Sequence, residues 1–213
     1  MSNNEYRFPH EDVFPHEEIA ERRRWILRYA KKGGVGAEFG VFRGHFSSVI
    51  LSELSPSKLY LVDPWTKQGK EYFNWGEPPY EMDYTNFNKL KISEAKRDAE
   101  ERVKPYGDVV DIVEEFEDVW LNEFSGKLDF VYLDSSHFYK DTIKTLSLIH
   151  KVLSEDGVIL GDDWYEDAGH YSGVCRAVNE FCKTHNYEIA LAGQDAQFYL
   201  RRIPEYTHPA QHL

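Results

Sequence analysis

The feature that most constrains this fold is a recurring pattern: a short β-rich run stops at an acidic residue or a glycine, and a helical stretch follows. VGAEFGV, KLYLVDPW, DVVDIVEE, KLDFVYLD and GVILGDDW are such runs, dense in the branched and aromatic residues that suit a buried, pleated strand. Between them lie HFSSVILSEL, the segment 84–104, a short stretch through Asp118, Trp120 and Leu121, and KDTIKTLSLIHKVL, all read as helical. GVCRAVNEFCKTH adds a helix, and YEIALAG with AQFYLRR closes the chain as two strands with no room for a helix between them. This alternation predicts an α/β fold, a doubly wound, mostly parallel sheet with an antiparallel hairpin at one edge.

The flanks extend that plan. HEEIAERRRWILRYAKKGG carries Ile19, Trp25, Ile26 and Tyr29 on one face with Gly33 and Gly34 as a stop, so residues 1–34 read as an N-terminal helical extension. With 213 residues the chain suits one domain, 1–213. Residues 66–85 crowd aromatics with Gly and Pro and show no period, which predicts a long loop acting as a lid. A formal charge of −12 repels phosphate backbones and anionic lipid, so neither nucleic acid nor membrane is an expected partner. No run approaches the roughly 18 apolar residues of a membrane span, and the start lacks the blocks of a signal peptide, so the expected location is cytoplasmic. Cys175 and Cys182 read as reduced core fillers.

In doubly wound sheets ligands bind beyond the carboxyl ends of the strands. The first strand runs into Glu38-Phe39-Gly40-Val41-Phe42-Arg43-Gly44, whose glycines let backbone approach a ligand. It has neither the G-x-G-x-x-G spacing of dinucleotide sites nor the Lys-Ser/Thr of a phosphate loop. Asp63 ends the second strand, where a carboxylate can accept from two ribose hydroxyls. Together these favour a nucleoside without phosphates, against the simpler alternative of a tight turn and a capping aspartate. The fourth strand ends in Asp134-Ser135-Ser136-His137 and the fifth in Asp162-Asp163-Trp164. Asp134, Asp162 and Asp163 in one cleft would repel unless a cation is present, and an oxygen-only set points to a hard ion such as Mg²⁺. The alternative makes Asp162 a cap, Asp163 a solvated residue and His137 a packing residue.

On EFGVFRG, LVDPW, LDFVYLDSSHFYKD, GVILGDDW and GVCRAVNEFC, in this order over roughly Val35 to Arg202, the chain resembles the class I S-adenosylmethionine (SAM) dependent methyltransferases. More narrowly it is similar to the metal-dependent sugar and small-molecule O-methyltransferases typified by the macrocin and mycinamicin enzymes. The resemblance implies a Rossmann-like seven-stranded sheet with an antiparallel last strand. It implies SAM contacts at Glu38, Gly40, Gly44, Ser47 and Asp63, Mg²⁺ at Asp134, Asp162 and Asp163, and catalytic roles for His137 as base and for Asp134. The implied reaction moves a methyl group to a hydroxyl of a small molecule, a sugar or other diol. The N-terminal extension is shorter than those antibiotic enzymes can carry, so their substrate contacts and oligomer do not transfer.

Other residues are weighed against plainer roles. Tyr72, Phe73, Trp75 and Tyr80 either line an acceptor pocket or pack the loop or a homo-oligomer contact. His208 and His212 read as a frayed terminus rather than metal ligands. Glu114, Glu115, Glu117 and Asp118 read as a solvated face, with one member near an adenine. A non-catalytic SAM- or nucleoside-binding protein stands as the second reading, since it needs only the glycine loop and Asp63.

Overall fold

The computed structural model describes residues 16–65, 91–165 and 172–204. The expected lid at 66–85 with Tyr72, Phe73, Trp75 and Tyr80, and also His208 and His212, lie outside the described residues. Seven strands, β1 (Val35–Phe39), β2 (Lys58–Val62), β3 (Val110–Val113), β4 (Leu128–Leu133), β5 (Leu153–Gly161), β6 (Tyr187–Ala192) and β7 (Phe198–Arg202), form one sheet in the order β3-β2-β1-β4-β5-β7-β6. Strands β1 to β5 pair in parallel, and β7 runs antiparallel to both β5 and β6. The closing hairpin therefore inserts its second strand into the sheet and leaves β6 at the edge. This is the Rossmann-like arrangement expected from the sequence.

Helices α1 (His16–Arg23), α2 (His45–Leu54), α3 (Ile92–Val103), α4 (Glu117–Glu123), α5 (Tyr139–Val152) and α6 (Ser172–His185) cover the sheet. The central strand β4 shows why both faces must be covered. Phe130 and Tyr132 point into one core with Phe46, Ile50, Leu59 and Leu61, while Val131 and Leu133 point into the other with Leu146, Ile149, Val178 and Phe181. Strands buried on both faces read as continuous apolar runs, which is what KLDFVYLD is. None of the described helices is long and apolar enough to cross a membrane.

The N-terminal helix differs from its expected form. It is α-helical only to Arg23 and then tightens into a 3₁₀ turn, Arg24–Tyr29, that buries Ile26 and Leu27. Arg24 ties the turn to Glu21 and to Glu53 of α2. At the other end of α1, His16 stacks on His45 with ring centroids 5.3 Å apart and an interplanar angle of 25°. Burial, reinforced by Arg43, holds the His16 imidazole down at about 4. Burial and then Arg102 hold His45 down at about 2.

Two outcomes follow for stability. A Cβ on Gly36 would lie 2.1 Å from the Phe130 ring, so Gly36→Ala is expected to destabilise by about 1–3 kcal/mol through overpacking. Combining it with Phe130→Leu should recover part of that loss, a coupling that a urea double-mutant cycle reads directly. For the histidines, the unfolded chain titrates near 6.5 while the folded rings stay neutral to lower pH. The unfolded state thus binds more protons as pH falls below about 6.5, and stability contributed above that value is lost on acidification. Glu38 and Asp162, whose carboxyls burial raises, act in the opposite sense, so the histidine contribution is read as a difference: between pH 8 and pH 5 the urea midpoint of the parent should fall relative to that of His45→Phe.

Candidate functional site

Strand order reverses between β1 and β4, so the crevice outside their carboxyl ends is the topological switch point. Hydrogen-bond register carries the ends to one level. Asp134 N donates to Phe39 O at 2.8 Å and Asp162 N to Leu133 O at 3.0 Å, continuing the rungs Phe39↔Leu133 and Leu133↔Gly161. Glu38, Asp134 and Asp162 therefore crowd at neighbouring strand ends. Each acid must then find its own compensation.

On the β1 side, buried Glu38 accepts from Ser47 Oγ at 2.5 Å, and burial raises its carboxyl well above the ordinary range. Asp63 Oδ2 accepts from the backbone N–H groups of Val41 (2.9 Å) and Phe42 (3.0 Å), and Oδ1 accepts from Trp65 N (2.8 Å). Trp65 Nε1 closes the loop by donating to Phe42 O at 2.9 Å. So Asp63 holds the β1–α2 loop with two backbone hydrogen bonds and caps its own turn with a third, the role that the alternative of a tight turn and a capping aspartate described. Burial raises its carboxyl against those bonds. Arg43 Nε meets Asp98 Oδ2 of α3 at 2.6 Å with both side chains essentially inaccessible, anchoring the loop from behind.

The loop glycines serve packing within the chain. A Cβ on Gly40, whose φ is +85°, would fall 1.8 Å from the Asp134 carbonyl oxygen. One on Gly44, with φ +75°, would fall 2.9 Å from Ala99 Cα. Both positions thus need glycine because the loop crosses other backbone closely.

On the β4–β5 side the expected trio is divided. Arg23, reaching over from α1, places Nη1 2.8 Å from Asp134 Oδ2 and pairs through Nη2 with Asp162 Oδ2. Asp162 Oδ1 accepts from buried Gln197 Nε2, and Gln197 Oε1 accepts from Tyr132 OH at 2.8 Å. Burial and then the Asp134 charge raise the Asp162 carboxyl, while Arg23 opposes them. Asp163 turns away at φ 64°, a left-handed conformation that aspartate tolerates, and meets His137 Nε2 at 2.6 Å through Oδ2. Among the described residues, the group whose ligand atoms all lie within 4.8 Å of one another is Asp134, His137 and Asp163. His137 thus joins two of the expected carboxylates, while Asp162 lies against Arg23 and Gln197 with its Oδ2 buried and without a hydrogen-bond partner among the described residues.

Sequence reasoning missed Arg23, Gln197 and Tyr132. Arg23 sits inside the run Arg22-Arg23-Arg24 of an amphipathic helix, which reads as a charged outer face. The chain itself supplies one cation, Arg23, among the three carboxylates. The acidic run after β3 is not a simple solvated face either. Glu117 accepts from Ser135 Oγ at 2.9 Å and is raised by burial, while Glu114 and Asp118 pair with Lys96 and Lys144.

Residues 37–164 match a protein family described as a methyltransferase domain. No curated protein sequence matches the chain. Among solved structures, a Podospora anserina methyltransferase bound to S-adenosylhomocysteine is similar at a TM-score of 0.58 and 15% identity, over 93% of this chain and 83% of that one. A calicheamicin methyltransferase aligns at 0.57 and 16%, over 92% and 80%. A ribosomal protein L11 methylase from Lactobacillus delbrueckii subsp. bulgaricus aligns at 0.54 and 14%, over 92% and 80%. At such identities these likenesses show the shared fold.

The Arg43–Asp98 pair gives the site a stability test. Asp98→Ala removes the carboxylate from a fully buried guanidinium, and urea unfolding should show a loss of about 3–5 kcal/mol. A loss below about 1 kcal/mol would mean that the loop is anchored elsewhere.

Proposed function

We propose, for a chain that belongs to the methyltransferase domain family, that it transfers the methyl group of SAM to a hydroxyl of a small diol or sugar-like acceptor with the help of a divalent cation. The observation that carries this reading is the Asp134–His137–Asp163 cluster at the carboxyl ends of β4 and β5. Its two carboxylates suit Mg²⁺ or Mn²⁺, and the imidazole beside them is placed to serve as a base. SAM, with its sulfonium and ammonium groups, suits a crevice walled by acids. We assign its side of the crevice to Glu38, Gly40, Gly44, Ser47 and Asp63, the last acting by shaping the loop.

When bound, SAM supplies an electrophilic methyl group, and the cation supplies charge that lowers the proton affinity of the acceptor hydroxyl. The rest falls to the chain's own residues. Asp134 and Asp163 hold the cation. His137 takes the hydroxyl proton, its ring oriented by Asp163, whose charge also favours the imidazolium that results. Arg23 and Gln197 keep Asp162 compensated beside them. The products are a methyl ether and S-adenosylhomocysteine, formed in one displacement with no covalent enzyme intermediate.

Arg23 supports a second reading. Because it already neutralises part of the cluster, the same fold could transfer methyl without a metal, or bind SAM without catalysis. Labelled SAM, a panel of sugars and phenols, and chelator separate these. The first reading expects transfer to a diol that stops in chelator, Asp163→Asn inactive with SAM binding retained, and His137→Ala slower by about 10²–10⁴-fold. Full rate in chelator selects the metal-free enzyme. SAM binding with no transfer to any hydroxyl selects the binding protein.

A further inference from the structure

We infer that Trp25 and Asp195 are positioning residues for the cation site, because the hydrogen bond between them holds the turn from β6 to β7 in the shape that aims Asp163 at Asp134 and His137. This rests on the cation reading above and goes beyond it, since neither residue belongs to the cluster.

The turn has an uncommon backbone shape. Asp195 (φ 50°, ψ 33°) and Ala196 (φ 58°) are consecutive left-handed residues. An aspartate tolerates that region, whereas an alanine Cβ crowds the backbone there, so the shape persists only where its surroundings hold it. The turn closes on itself, with Ala196 N donating to Gly193 O at 3.2 Å and Gln197 N to Gln194 O at 2.9 Å. The tie from outside is Trp25, in the 3₁₀ turn after α1, whose Nε1 donates to Asp195 Oδ2 at 3.0 Å. Arg22 adds an ion pair to Asp195 Oδ1 at 3.5 Å, but its side chain is 64% accessible, so water screens it.

The other side of the turn meets the strand-end acids. Ala196 O accepts from Trp164 N at 2.8 Å, and the Gln197 side chain donates to Asp162 Oδ1. Those two contacts grip the chain on either side of Asp163, which is itself left-handed at φ 64°. With both neighbours held, the Asp163 carboxylate keeps one direction, toward His137 Nε2 at 2.6 Å. Trp25 is thus linked to Asp163 through Asp195, Ala196 and Trp164. Outer contacts that orient a metal ligand commonly change affinity by about tenfold or more.

Mn²⁺ binding followed by electron paramagnetic resonance, and hydrogen exchange of the Trp164 amide followed by NMR, read this link without turnover. W25F, which keeps an aromatic ring and loses the N–H, is expected to bind Mn²⁺ about tenfold more weakly and to exchange faster at Trp164. D195A should do the same, and W25F combined with D195A should do no more than either alone, because both break one link. D195N keeps an acceptor oxygen and suits the left-handed region, so it should stay within about threefold of the parent.

A purely structural tie would lower the urea midpoints of W25F and D195A while the folded variants kept parent Mn²⁺ affinity and Trp164 exchange, a result that overturns the inference and leaves the cation reading intact. D195N as weak as D195A also overturns it, because charge and not the hydrogen bond would then be what matters. A parent protein that takes up no Mn²⁺ overturns the cation reading, and the positioning role with it. Should W25F fail to fold by circular dichroism, D195A and D195N, both changes at a partly exposed side chain, still decide.

Discussion

Five carboxylates at the end of one buried sheet are the constraint around which the rest of this structure is arranged. Glu38, Asp63, Asp134, Asp162 and Asp163 sit at or just beyond β1, β2, β4 and β5, where parallel register brings the strand ends level. Charges this close in a poorly solvated crevice are tolerated only if each meets a donor or a cation. Every one does, and each solution recruits a different element. Ser47 of α2 serves Glu38, the loop backbone serves Asp63, Arg23 of α1 serves Asp134 and Asp162, Gln197 beside β7 serves Asp162, and His137 ahead of α5 serves Asp163. The site and the fold are for this reason one problem.

How much of this was legible in the sequence depends on the range of the interaction. Strands such as KLDFVYLD announce themselves because their residues are buried on both faces, and a carboxylate closing such a run marks the strand end whatever lies beside it. The hairpin of β6 and β7 was visible from its short connection. What could not be read was which acid meets which donor. Arg23 and Asp134 are 111 positions apart, and nothing in the periodicity of HEEIAERRRW separates Arg23 from its two neighbours. Gln197 lay inside the strand run AQFYLRR with nothing to set it apart. The glycines of EFGVFRG were recognised, but for a ligand's sake, whereas the atoms that crowd them belong to Asp134 and Ala99.

The N-terminal helix changes standing as a result. A reading from pattern makes it a helical extension with an apolar face, and Ala20 is buried in one of the two cores. Its polar side is the more consequential. His16 lies against His45 and Phe42 at the mouth of the β1–α2 loop, and Arg23 reaches the ends of β4 and β5. One short helix thus touches both halves of the crevice, and the 3₁₀ turn after it, tied to Glu53, fixes where it ends.

The contact between Gly40 and the Asp134 carbonyl has a consequence for how such a site can vary. At that point main chain rests on main chain, with no side chain from position 40 in between. The gap between the loop that follows β1 and the acid that follows β4 is accordingly a fixed dimension of the scaffold, as insensitive to sequence drift as the spacing of the strands themselves. Substitutions elsewhere can recolour the walls of the crevice, but its width at this waist has only one setting.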